Sequence, residues 1–255
     1  TLSNAITELE TQLGVKIFER DNKKVIVTSL GQEILKKAQQ IKLDVQDIKE
    51  LAKQNSQALN HPISLGIIPT VSPYFLPLIL PKIQKEFPNL TLRIEELQSQ
   101  FLVKKLKEGE LDMAILALPY DLKGLISLKF WEEDFYLVSH KENKNAGATE
   151  IKANQLDQSK LMLLDDGHCL KDHILDACNI ANASKHSLKA SSLLTLIQLV
   201  KGQMGSTLVP KMALKELVGS RKELSISHLN EPGPHREIAL IVRENYAGIE
   251  SAMLL

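Results

Sequence analysis

Cys169 has the neighbours a reactive thiol needs. A cysteine attacks as its thiolate, so a reactive one requires a cationic or helix-N-terminal setting. Asp166-Gly167 reads as a turn and Leu170 onward as a helix, which puts Cys169 in a first helical turn. Free amide N–H groups and the helix dipole favour an anion there. His168 and Lys171 are adjacent donors, whereas Asp165, Asp166 and Asp172 oppose them, so the sign of the net shift stays open. Cys178 is the only other cysteine. Two unconnected buried cysteines are the ordinary alternative. A metal site is the third reading. Cys169 and His173 stand at i, i+4 with Asp172 beside them, but Cys178 points elsewhere and the spacing fits no usual zinc pattern. No metal and no cofactor are expected. His173 is read as a solvated helix residue, and His61, His140, His186, His228 and His235 as surface residues without a constellation.

The chain balances 31 Lys+Arg against 31 Asp+Glu, and 44% of its 255 residues are hydrophobic. That balance excludes a disordered chain and a polybasic tail. No apolar run reaches the roughly 18 residues a membrane span needs, so no membrane partner is expected. Two cysteines are too few for a disulfide scaffold, and no secretory signal stands out. The expected setting is the reducing cytoplasm, where a disulfide is transient rather than structural.

The elements that must position these residues follow from pattern. Leu2, Ala5, Ile6, Leu9 and Leu13 mark a first helix that Gly14 ends. Residues 20–24 read as a turn, followed by a short strand at Val25-Ile26-Val27. Ser29 with Gln32 predicts a capping box for a long helix to about residue 58. Its apolar positions Ile34, Ala38, Ile41, Val45, Ile48 and Ala52 form a heptad seam suited to pairing with another helix. Beyond His61-Pro62, strands are predicted at 63–68, 90–94, 113–116, 135–139, 161–164, 206–209 and 238–242. Helices lie between several of them: one starts at Ser72-Pro73 and ends at Phe87-Pro88, and Ser99 is expected to cap another that Gly109 ends. Strand–helix alternation implies an α/β fold with a mostly parallel sheet, and the length suggests two lobes. Thr1 already stands in helical register, and Ile249 to Leu255 begin a further apolar helix, so the chain is read as a fragment cut at both ends.

The order of several loose motifs resembles the LysR-type transcriptional regulator family. The residues that carry this are Thr1-Leu2-Ser3 through Leu9-Glu10, Leu13-Gly14-Val15, Phe18-Glu19-Arg20 and Thr28-Ser29-Leu30-Gly31. Gly109 to Ile115 and Gly205 to Pro210 look like that family's effector-domain signatures. Gly66 to Tyr74 and Asp166 to Asp172, with Cys178 nine residues after Cys169, are similar to its peroxide-sensing members.

The resemblance implies a partial winged helix-turn-helix at 1–28 and a linker and dimerisation helix at 29–58. It implies a two-lobed α/β effector domain at 59–255, resembling periplasmic binding proteins. Lobe I would take about 60–131 and 237–255, and lobe II about 132–236. It also implies a transcription regulator rather than an enzyme, switched by hydrogen peroxide, with Cys169 oxidised and Cys178 resolving it. Thr70, Ser99, His168, Lys171 and Asp172 map to the peroxide pocket, and Arg236 to a basic residue facing the sulfur. Ser99 stands where the family usually has Thr, and Lys171 where it usually has Arg; Lys lacks the planar fork of Arg. Expected partners are promoter DNA, RNA polymerase, thiol reductants and other copies of the chain, as a tetramer.

If residues 169–178 form one helix, the thiols point to opposite faces and lie about 13.5 Å apart along the axis. A disulfide needs Cα atoms within about 7 Å, so bridging them would unwind that helix. Ser3, Asn4 and Thr7 on the polar face of the first helix, with Lys23 and Lys24 on the wing, are the candidate DNA contacts. Residues 1–60 hold nine Lys/Arg against eight Asp/Glu, a weak basic footprint. A regulator with a small organic effector in the interlobe cleft is the first alternative, and a thiol peroxidase the second.

Overall fold

The structure is a computed structural model that describes residues 1–21, 24–54, 62–143, 146–181, 188–219, 221–246 and 248–249. Two compact units divide the chain at residues 55–56.

The first unit begins with helix α1 (Leu2–Leu13), which Gly14 ends in the left-handed conformation at φ 68°. Strands β1 (Phe18–Asp21) and β2 (Lys24–Val27) pair antiparallel. The hairpin hangs on Glu10, a residue the pattern did not single out. Buried at 6% exposure, its Oε1 accepts the Ile17 and Phe18 N–H groups at 2.8 and 3.0 Å. Those bonds, the Phe18 one foremost, hold its carboxyl below the usual range.

Helix α2 (Ser29–Gln54) follows. The expected capping box at Ser29 and Gln32 is displaced by one residue. Thr28 is the cap: its Oγ1 accepts the Gly31 N–H at 2.9 Å. Thr28 N–H is held by Ile17 O at 3.0 Å, which fixes where the helix begins. The predicted end near residue 58 lies outside the described residues, as do Asn22, Lys23, His61, His186 and the stretch from Glu250. The seam residues Ile41, Val45 and Ile48 are 63%, 47% and 64% exposed.

The second unit carries two main sheets. The five-stranded sheet orders β4 (Leu92–Glu96), β3 (Ile63–Ile67), β5 (Met113–Leu118), β13 (Arg236–Arg243) and β6 (Leu125–Glu133). Helices α3 (Ser72–Glu86) and α4 (Ser99–Lys107) belong to this lobe. The four-stranded sheet orders β11 (Thr207–Pro210), β7 (Phe135–His140), β12 (Leu224–Leu229) and β8 (Glu150–Ile151). The short pair β9 (Leu163–Leu164) and β10 (Lys189–Ala190), and helices α5 (Cys169–Ala177), α6 (Leu193–Lys201) and α7 (Lys211–Leu217), complete the second lobe.

Both sheets are mixed rather than mostly parallel. β3 runs parallel to β4 and β5, but β13 is antiparallel to both β5 and β6. β7 is antiparallel to both its neighbours. The reason is connectivity. The chain leaves the first sheet through β6, builds the second lobe, and returns through β13 into the middle of the first. No helical crossover precedes β13, so nothing requires it to run parallel. Two hydrophobic cores result. One gathers Ile67, Leu102, Leu106, Met113 and Ile241; the other gathers Phe135, Leu170, Ile174, Ile197 and Leu208. Among the described residues no helix is long and apolar enough to cross a membrane.

The candidate redox site

Cys169 opens α5. Gly167 makes the turn before it at φ 93°, and a Cβ there would stand 2.6 Å from Gln98 Oε1. The positive φ favours glycine here, and any Cβ would also push the Gln98 side chain aside. His168 caps α5 in an extended conformation. The thiol that follows is 7% exposed and packs in the core of the first lobe, although the rest of α5 packs in the second.

Ser99, expected as a helix cap, lies inside the first turn of α4; Gln98 is the cap residue. The Ser99 hydroxyl is buried with no hydrogen-bond partner among the described residues. It stands close enough to Cys169 to favour the thiolate. Arg236 and the Ala117 N–H act in the same direction, and Asp172 against it. Burial outweighs them and pushes the Cys169 thiol above the ordinary cysteine value. The sign left open by the sequence is therefore upward.

Arg236 is the centre of a buried polar network. Its Nε donates to Glu133 Oε1 at 2.8 Å, and Nη2 forms an ion pair with the same oxygen at 2.7 Å. Nη1 donates to Thr70 Oγ1 at 3.2 Å, and Nη2 to the Thr70 carbonyl at 3.3 Å. Glu133 Oε2 accepts the Met212 N–H at 2.8 Å, in the first turn of α7. The side chains of Arg236 and Glu133 are wholly excluded from solvent. A charge so buried persists only when paired and hydrogen-bonded. Glu133 was missed by sequence reasoning. It sits in the acidic run Glu132-Glu133-Asp134, which reads as a solvated face, and only the β6–β13 register sets it opposite Arg236.

The structure thus brings Thr70, Ser99, Arg236 and Cys169 into one neighbourhood. His168, next to Cys169 in the chain, is buried and held below the usual histidine range by burial. It does not bring Lys171 there. That ammonium pairs with Asp166, which Lys189 also reaches at 3.1 Å. Asp172 is exposed and touches the site only through its charge. His173 is not solvated but 3% exposed, with Nε2 3.0 Å from the Pro119 carbonyl.

Two other histidines also depart from the surface reading. His235 is buried, accepting the Phe135 N–H on Nδ1 at 2.8 Å. His228 Nε2 lies 3.1 Å from Asp134 Oδ2, and the two imidazole rings stack. They stand where the chain passes between the sheets, so they brace the crossing. Among the described residues no group of three or more His, Cys, Asp or Glu could hold a metal ion.

Cys178 follows the last residue of α5 as its C-cap. It is a free thiol, as is Cys169. It is 6% exposed in the core of the second lobe, and burial pushes its pKa up to about 11. In the first unit, Ser3, Asn4, Thr7 and Lys24 are exposed, and Thr7 Oγ1 donates to the Ser3 carbonyl at 3.0 Å.

Residues 56–251 match the family model described as the LysR substrate binding domain. The HTH-type transcriptional regulator EstR of Acinetobacter baylyi is 39% identical over 247 residues, 96% of this chain and 81% of that protein. A protein of Mycobacterium avium named as a probable hydrogen peroxide-inducible genes activator is 37% identical over 247 residues, 96% of this chain and 79% of its own length. The solved structure of full-length OxyR from Pseudomonas aeruginosa superposes with a TM-score of 0.82 at 30% identity, covering 99% of this chain and 82% of that one.

Proposed function

The chain belongs to the LysR-type family of transcription regulators, and from that membership we propose that it is an OxyR-type regulator that answers hydrogen peroxide through Cys169. The observation that carries this is the setting of that thiol. It is a buried sulfur beside a hydroxyl, Ser99, within the field of an arginine that also binds the Thr70 hydroxyl. Peroxide needs such convergent donors to hold it in line with sulfur. Oxidation gives a sulfenic acid, which a second thiol condenses to a disulfide. Cys178 is that thiol, and the bond closes only when α5 unwinds. The unwound segment is the two-state element, and its refolding changes how copies of the chain engage promoter DNA and RNA polymerase.

Oxidation is stoichiometric, with cellular thiols restoring the reduced form. The linker helix α2 offers its exposed seam to a second copy, towards a tetramer, and Ser3, Asn4, Thr7, Lys23 and Lys24 are the proposed DNA contacts. The residue ranges expected for the DNA-binding, linker and effector parts stay with this proposal.

The test is stopped-flow oxidation of the reduced chain by peroxide, beside Cys169→Ser and Cys178→Ser, with thiols counted at the end. Fast loss of two thiols that needs both cysteines is expected. A rate no faster than free cysteine in a folded sample overturns the reading. One observation favours a second reading, a regulator of the same family answering a small organic effector in the interlobe cleft: burial raises rather than lowers the Cys169 pKa. Thermal stabilisation by a metabolite, without thiol oxidation, would support it.

A further inference from the structure

We propose that His173 is a proton relay for the oxidation of Cys169: its Nδ1 takes the proton the thiol gives up and returns it to the departing oxygen of the peroxide. This rests on the reading of Cys169 as the oxidised thiol. His173 follows Cys169 by four positions in α5. Residues so spaced share one helix face, with Cβ atoms about 5–6 Å apart. The Nε2 of His173 lies 3.0 Å from the Pro119 carbonyl. A carbonyl only accepts, so Nε2 carries the hydrogen and Nδ1 is a lone pair. That Nδ1 is fully buried and has no hydrogen-bond partner among the described residues. The other such atom near the thiol is Ser99 Oγ. Buried polar atoms rarely stay unsatisfied, and two unpartnered ones, one on the same helix face as Cys169 and one acting on its thiol, suit a small polar guest that both donates and accepts. Peroxide is such a guest.

The groups facing His173 keep it neutral and ready to accept. Burial is the largest influence and lowers its pKa, and Arg236 from β13 lowers it further. The Pro119 carbonyl, and Asp172 and Asp176 on α5, act in the opposite direction without reversing the sign. Tyr120, beside Pro119, has its phenol pushed up by burial and by the nearby Cys169 and Asp172. Burial also keeps Cys169 protonated. A site whose thiol is held protonated needs a base, and the relay supplies one.

The step balances as follows. The thiol proton passes to Nδ1. The sulfur electron pair forms an S–O bond to the near peroxide oxygen, and the O–O bond breaks. The far oxygen leaves with the O–O bonding pair and takes the proton back from Nδ1 as water. Sulfur is oxidised, peroxide is reduced, and Cys–SH plus HOOH becomes Cys–SOH plus water, with the histidine unchanged.

The experiment measures the rate of Cys169 oxidation by hydrogen peroxide from pH 5 to 9 in the reduced full chain, beside His173→Gln and His173→Asn. Both variants keep a polar side chain but cannot carry a proton, and running two leaves one to read if the other fails to fold. Acid–base assistance contributes about 10²–10⁴-fold. The expected result is a wild-type rate that rises through the imidazole range and then levels. The variants should lose at least about tenfold at pH 7 and track hydroxide up to the titration of Cys169. Folded variants with the wild-type rate and pH profile overturn the relay while leaving the peroxide reading intact. A wild-type chain that reacts no faster than free cysteine sinks the peroxide reading, and the relay with it.

Discussion

Cys169 and Cys178 stand at the two ends of α5, each buried in a different hydrophobic core. The helix between them keeps the sulfurs about 13 Å apart along its axis. Joining them therefore takes two side chains out of two packed environments at once.

Hydrogen exchange reads this directly. In the reduced chain, amides 172–178 should be protected, because α5 is intact. After peroxide they should exchange with the loops in the wild type, and remain protected in Cys178→Ser, which stops at the sulfenic acid. Protection that survives disulfide formation in the wild type would exclude the unwinding of α5.

The Arg236–Glu133 pair should be costly to halve. Glu133→Gln leaves a buried guanidinium without its counter-charge, which typically costs about 3–5 kcal/mol. The double variant Glu133→Leu, Arg236→Leu should lose less than Glu133→Gln alone. Urea unfolding midpoints of the full chain check both.

Thr28→Ala should destabilise the first unit by about 0.5–2 kcal/mol, the usual loss of a helix cap. Ser29→Ala, one residue on, should cost only a few tenths, since its hydroxyl caps nothing. Thermal melts followed by helix signal compare the two, and equal losses would contradict the observed cap.

Glu10 makes the first unit acid-sensitive. Its carboxyl titrates below the ordinary value, chiefly through the Phe18 N–H bond. A lowered folded-state pKa means that the stabilisation is complete above the unfolded value of about 4.3 and is lost as pH falls through the folded one. Amide resonances of Ile17 and Phe18 should move over that acid range in the wild type and stay put in Glu10→Gln.

The legible part of the site was local. Asp166-Gly167 announced the turn, and the residues after it announced a helix with Cys169 at its start. What stayed hidden came from long-range register. Glu133 looks like one solvated acid among three until β6 and β13 align it with Arg236, 103 residues away. His173 looks like a polar helix residue until the Pro119 carbonyl, 54 residues upstream, takes its Nε2. Lys171 stands next to the right residues in sequence and turns to Asp166 instead. The mixed sheet was missed for the same kind of reason, because alternation along a chain carries no record of which way a returning strand runs.

That returning strand sets an order of assembly. The second lobe's four-stranded sheet is contiguous in sequence, closing as soon as Leu229 is available. The first lobe is not. Its strand β5 waits for β13 to reach it, with Met113 pairing Val242 across 129 residues. A chain emerging from the ribosome therefore finishes its second lobe before its first, and holds open edges on β5 and β6 until residues 236–243 arrive. Long-range closure of this kind is slow, and open edges invite wrong partners. The interval between Leu229 and Arg243 is short, so the exposure ends almost as soon as the second lobe is made.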